Sequence, residues 1–261
     1  MGEFIERQHF REGIGAGEAR RLFESSVHFI ELETFSYCNR ECWFCANSFI
    51  DRKIANVYLS EKIFAKILRD LAAIGYAGTV NLSNYNEPLS DRVIVGHIAR
   101  LRDAAPAATI SVYSNGDYVN ASYLAELRDA GLDEIYLSIH TGDREDLNDA
   151  KVERRIASLS RKIGAEVKFS KRQPGVQYRA KVKYPGMRIQ MYEPNMRTLG
   201  SNMGELIPGL QEDFHRTSPC LEPFTHFTVN YNGQVVPCCR IRSDAAAHES
   251  YVICDLHEVD T

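Results

Sequence analysis

What most limits the architectures open to this chain is a repeated alternation of short apolar stretches with longer amphipathic ones. Residues 27–34, 79–83, 108–113 and 133–139 read as strands, and residues 60–74, 91–104 and 121–130 between them carry apolar side chains at helical spacing. Ser60 suits the N-cap of the first helix, and Gly131 is a natural stop for the third. Such alternation predicts a parallel sheet with the loops that leave its strands collected along one edge, where the sites of barrel-type folds lie. After His140 the pattern loosens: residues 144–163 read as a charged helix, and 166–169, 176–182 and 188–192 are candidate strands whose number the pattern leaves open.

The loop after the first strand carries Cys38, Cys42 and Cys45 in the order C-x3-C-x2-C, with Phe44 just before the third cysteine. Three thiolates this close on one loop can converge on a small inorganic centre. A cubane iron–sulfur cluster normally takes four cysteines, so three leave one iron open to a substrate or cofactor, as a catalytic zinc keeps an open position. Three other readings compete. A zinc knuckle needs a fourth ligand nearby, and this loop offers none. Buried thiols sit poorly beside Arg40, Glu41 and Asn47. A disulfide is disfavoured because the chain lacks the signs of secretion.

This loop resembles the cluster loop of the radical S-adenosylmethionine (SAM) enzymes. The resemblance implies a partial (β/α)6 TIM-like barrel with parallel strands. It also implies a [4Fe-4S] cluster whose open iron is chelated by SAM, and a one-electron cleavage of SAM that yields a 5'-deoxyadenosyl radical able to abstract hydrogen from a substrate. An external one-electron donor such as a flavodoxin or ferredoxin is implied with it. The loop after the second strand, Tyr85-Asn86-Glu87-Pro88, matches the family's motif at Glu87 and Pro88 and departs from it where both glycines are replaced. By resemblance Glu87 meets the SAM ammonium as a charge-assisted hydrogen bond, with Asn86 and Phe44 beside it. Ser114-Asn115-Gly116-Asp117 resembles the loop that contacts the ribose, and Ser138 and His140 at the end of the fourth strand face the same cavity, His140 more simply as a structural residue.

A second informative stretch lies near the C-terminus. Phe227-Thr228-Val229, an Asn232-Gly233 turn and Gln234-Val235-Val236 read as a hairpin, which brings Cys220 and Cys238, eighteen residues apart, together at its outer ends. This resembles the SPASM/twitch extension, which holds an auxiliary iron–sulfur cluster; Cys220 and Cys238 match its first two ligands. The family supplies two further cysteines, whereas here only Cys239 and Cys254 are spare. Cys254 is taken as the third ligand, against the alternative of a hairpin with buried thiols. The motifs most resemble twitch-bearing members that oxidise an aminocyclitol alcohol to a ketone. In the segment Gly200-Ser201-Asn202-Met203-Gly204 a methionine stands where those members have an arginine near their substrate.

The expected organisation is α/β: a lead-in over 1–26, with a short helix at 18–25, a core over 27–205 and a hairpin extension over 206–261. The expected activity is a two-electron oxidation of an alcohol on a small carbohydrate or cyclitol. Peptide modification or epimerisation is the alternative, and a non-catalytic iron–sulfur or zinc module is the reading from another class. No residue is nominated as the proton acceptor. The 261 residues carry a net charge of -4, which argues against nucleic acid as the partner. No run approaches the length of a membrane helix, and the N-terminus shows no signal-peptide apolar region. Seven cysteines in two clusters suit metal ligation in a reducing cytoplasm better than a disulfide framework.

Overall fold

The computed structural model describes residues 13–211 and 217–259. The first twelve residues of the expected lead-in, and residues 212–216 of the expected extension, lie outside the described residues. Four strands follow the expected rhythm: β1 (Phe29–Leu32), β2 (Thr79–Asn81), β3 (Thr109–Ser114) and β4 (Glu134–Ser138). Helices α2 (Glu61–Ile74), α3 (Val93–Ala104) and α4 (Ala121–Asp129) connect them, and α1 (Ala16–Ser26) precedes them. Ser60 caps α2 by accepting from Ile63 N at 3.3 Å, and Gly75 closes it at φ +60°. α5 (Asp149–Ile163) starts at an Asn148 cap, later than its charged pattern suggests, which frees 141–147 to form a loop beside the cysteines.

After α5 the chain forms an antiparallel hairpin, β5 (Val167–Gln173) and β6 (Gln177–Val182), and then β7 (Arg188–Pro194), which returns parallel to β4. The short helices α6 (Met196–Leu199) and α7 (Glu222–Thr225) lead to β8 (His226–Val229), β9 (Gln234–Val236) and β10 (Cys254–Asp255). All ten strands form one sheet in the order β10-β9-β8-β1-β2-β3-β4-β7-β6-β5, with six neighbouring strands from β8 to β7 parallel and both ends antiparallel. β8 lies beside β1, Phe29 opposite His226, so the hairpin read near the C-terminus joins the sheet at the strand that delivers the cysteines.

The parallel strands are two-faced. Ile30, Leu32, Val80, Ile110, Val112, Ile135, Leu137, Ile189 and Met191 form the core with the helices. The alternate residues Glu31, Asn81, Ser111 and Thr228 are also buried, on the opposite, polar face. A sheet buried on both faces usually reads as continuous apolar runs. The polar residues here mark the concave side on which the strand-end loops meet. Among the described residues no helix is long and apolar enough to cross a membrane.

Candidate active site

The loops that leave β1, β2, β3, β4 and β7 enclose a cavity of about 380 Å³. Cys38, Cys42 and Cys45 line it, and so do Phe44, Asn86, Glu87, Ser114, Asn115 and Ser138. The six residues expected to bind the cofactor and the first three cysteines therefore share one chamber, although they come from four separate loops.

Each is held by a short local device. Pro88 starts a single 3-10 turn that Glu87 caps, its Oε1 accepting from Leu89 N at 3.0 Å. The same carboxylate accepts from Ser114 Oγ at 2.7 Å and from Asn115 N at 2.6 Å. Glu87 thus ties the β2 and β3 loops together and still has acceptor capacity, since a carboxylate offers about four lone-pair sites. Burial pushes its pKa up to about 7, against the lowering effect of these donors. Gly116, at φ +73°, lets the β3 loop fold back so that Asp117 N reaches Asn115 Oδ1 at 3.0 Å. Asn86 Oδ1 accepts from Asn84 N at 3.1 Å, while its buried Nδ2 has no partner.

The cysteine loop is fixed from three sides. Arg40 grips Asp117 through Nε and Nη2, both at 2.8 Å, and donates from Nη1 to His140 O at 2.8 Å. Asn39 and Arg155 also converge on Asp117, whose carboxyl these partners hold well below the usual range despite its burial. Trp43 donates from N to Asp143 O at 2.7 Å and from Nε1 to Glu145 O at 3.0 Å, and Arg197 lies 3.9 Å above its ring. Asn47 donates to Tyr85 O at 2.8 Å. His140 packs edge-on against Phe44 at 4.8 Å between ring centroids and pairs with buried Glu193 at 3.2 Å, which makes it part of the wall.

Residues 32–182 match the radical SAM superfamily. The chain belongs to the radical SAM superfamily. This radical SAM chain is 28% identical over 113 residues to an S-adenosyl-L-methionine-dependent 2-deoxy-scyllo-inosamine dehydrogenase of Niallia circulans. That match spans 43% of this chain and 45% of the relative, less than half the length of either. Among solved structures it is similar to BtrN in complex with AdoMet and 2-DOIA, with a TM-score of 0.62 at 18% identity over 90% of this chain and 80% of that one. It is also similar to selenomethionine BtrN in an open conformation, with a TM-score of 0.56 at 18% identity over 89% and 77% of the two chains. At that identity the likeness is one of fold.

Radical SAM membership implies a [4Fe-4S] cluster and SAM, and the residues present fit both. The three thiols share the cavity wall; burial pushes Cys38 up to about 12 and raises Cys42 and Cys45 as well. Such thiols are protonated without a metal and give up their protons to one, so binding releases protons. Among the described residues no three His, Cys, Asp or Glu side chains are grouped tightly enough to hold a single metal ion. The spare acceptor capacity of Glu87 and the unpartnered amide of Asn86 offer an acceptor and a donor to the ammonium and carboxylate of an amino-acid group.

The C-terminal cysteines divide. Cys220 stands just before α7 and Cys238 just after β9, at the two outer ends of the hairpin, with Cys239 next in chain. Cys254 sits in β10 opposite Val235 and packs against the main apolar core. Sequence reasoning missed three arginines. Arg240 donates to Ser201 Oγ at 2.7 Å within the segment that carries Met203. Arg52 and Arg242 are buried behind the cysteine loop. An arginine in a polar C-terminal loop carries no local signal of burial, since the acid that accompanies it inward is apparent only in three dimensions.

Proposed function

We propose that this chain is a radical SAM oxidoreductase that removes hydrogen from a C–H bond of a small polyhydroxylated substrate and oxidises an alcohol of a carbohydrate or cyclitol to a ketone. The convergence of Cys38, Cys42, Cys45, Glu87, Ser114 and Asn115 on one cavity carries this reading, and the partial match to a cyclitol dehydrogenase supports the substrate class. Cys38, Cys42 and Cys45 hold the cluster. When bound, cluster and SAM together supply the one-electron chemistry that takes hydrogen from an unactivated carbon, beyond the reach of side chains alone. Glu87 accepts from the SAM ammonium, Ser114 and Asn115 orient the ribose, and Phe44 and Ser138 bound the nucleotide.

The rest of the wall suits a substrate rich in hydroxyls. Asn84, Tyr113, Tyr192 and Ser201 bring amide and hydroxyl groups to the same cavity, and an unmade hydrogen bond there discriminates against apolar ligands. Cys220 and Cys238 would contribute ligands to an auxiliary iron–sulfur centre, which would supply an acceptor for the second electron, and an external one-electron donor would serve the first cluster. A reducing cytoplasmic setting accords with seven cysteines that are all free.

The test is anaerobic reconstitution followed by reduction with SAM present. Formation of 5'-deoxyadenosine is expected, lost in a Cys38→Ala, Cys42→Ala, Cys45→Ala variant. A Cys220→Ala, Cys238→Ala variant is expected to keep that reaction while losing about four irons per chain, the content of one [4Fe-4S] centre. Fully loaded protein that leaves SAM intact would overturn the proposal. With aminocyclitols deuterated at the carbinol carbon, transfer of deuterium into 5'-deoxyadenosine identifies the substrate class; deuterium transfer only from peptides rejects it.

A further inference from the structure

Behind the cysteine loop lies a buried group of four charges that the reaction leaves without a role. Arg242 has no exposed surface. It donates from Nε and Nη2 to the two oxygens of Asp244, at 2.8 and 2.7 Å, and from Nη1 to Asn47 Oδ1 at 2.8 Å. Its guanidinium also lies 4.4 Å from the centre of the Tyr85 ring. Arg52, which follows the cysteine loop, donates to Glu33 Oε1 at 2.9 Å and Ser36 O at 2.8 Å, and pairs with Asp244 at 3.0 Å. Glu33, at the end of β1, accepts from Tyr85 N at 3.1 Å.

The group has two sides. Arg242 turns its Nη1 towards Asn47, two residues after Cys45, and its Nε–Nη2 edge towards Asp244. Asp244 is shared with Arg52 and takes the edge of Arg242 that does not meet Asn47. The Arg242 cation thus stands between the Asn47 side chain of the cluster loop and the Asp244 carboxylate, in an interior where charges are poorly screened. Arg52 Nε is buried without a partner, so hydrogen bonding spends only part of that cation.

We propose that Arg242 is a positioning residue through which the C-terminal segment holds the cluster loop in shape and makes the cluster easier to reduce. This rests on the reading that Cys38, Cys42 and Cys45 hold a cluster. Reduction adds one negative charge at the cluster, and a fixed neighbouring cation favours the state that carries it. The segment that brings Arg242 is itself anchored: Arg242 N donates to His248 Nδ1 at 3.0 Å, and His248 Nε2 lies 2.7 Å from Gly204 O. Correct docking of the C-terminal segment is therefore sensed at the third ligand.

The test is the midpoint potential of the first cluster in anaerobic holoprotein, read by electron paramagnetic resonance, beside hydrogen exchange over residues 45–52 in the metal-free protein. Arg242→Met is expected to shift the potential to more negative values by about tenfold in the reduction equilibrium, about 59 mV for one electron, and to speed exchange. Arg242→Lys, which keeps the charge but loses the fork, is expected to speed exchange with less than a third of that shift. Asp244→Asn leaves the cations uncompensated and is expected to move the potential in the positive direction. Wild-type potentials and exchange in all three variants overturn the proposal, as do shifts of one common sign in Arg242→Met and Asp244→Asn. Should Arg242→Met fail to fold, the other two variants decide. Wild-type protein that binds no cluster refutes the underlying reading instead.

Discussion

Glu87 does two things that pull in opposite directions. It is spent on Ser114, Asn115 N and Leu89 N as a structural tie, and it borders the cavity as the carboxylate meant for an ammonium. Burial raises its pKa to about 7, so an arriving cation favours the ionised form. Glu87→Gln keeps the shape, loses the charge and turns an N–H towards donors. We expect SAM binding, followed by equilibrium dialysis on the reconstituted protein, to weaken about tenfold to a hundredfold, the range of one charge-assisted hydrogen bond. Unchanged binding would confine Glu87 to the structural tie. The place of this residue in the cavity was legible because the motif keeps its acid and proline. The grip of Arg40 on Asp117 was not, because the two are 77 residues apart and neither has a local signature.

At the scale of elements, the alternation of β1 to β4 with α2 to α4 could be read because each helix buries one apolar face and each strand turns its apolar residues mainly to one side, which leaves a period in the sequence. In the β5–β6 hairpin only β6 alternates in this way. Val167–Gln173 is almost wholly exposed, so its order comes from pairing with β6 and not from burial. The β8–β9 hairpin was readable from its Asn232-Gly233 turn, and its glycine is constrained twice. Gly233 has φ +81°, and an added Cβ would lie 2.6 Å from Ile63 Cδ1 and 2.9 Å from the His257 ring. Gly233→Ala is expected to cost about 1–2 kcal/mol from the left-handed backbone alone, seen as a melting point lower by a few degrees. An unchanged melting point would mean that the turn relaxes freely. The place of Cys254 opposite Val235 was not legible, because it depends on how β10 returns, which spacing alone does not encode.

The molecule as a whole carries an electrostatic cost along its concave face. Glu31 is buried there beside Thr228 and Asn81, and burial pushes it up to about 7. The folded chain binds that proton more tightly than the unfolded chain does. The resulting stability is complete below the ordinary carboxylate range and is lost as pH rises through about 7. Glu31→Gln, neutral at every pH, removes the dependence. Against wild type, the metal-free variant should gain on the order of 1–3 kcal/mol between pH 5 and pH 8, measured by urea unfolding under reducing conditions. Parallel stability curves would show that Glu31 titrates normally.

The pairing of Phe29 with His226 bears on synthesis as well as on the finished protein. A ribosome delivers β1 and its cysteines long before it delivers the strand that flanks them, so a nascent chain exposes an unpaired edge there for most of translation. Iron loaded during that interval would meet thiols still lacking the buttress that Arg242 later supplies. Assembly of a metal centre on the proposed ligands would therefore follow the pairing of β8 with β1.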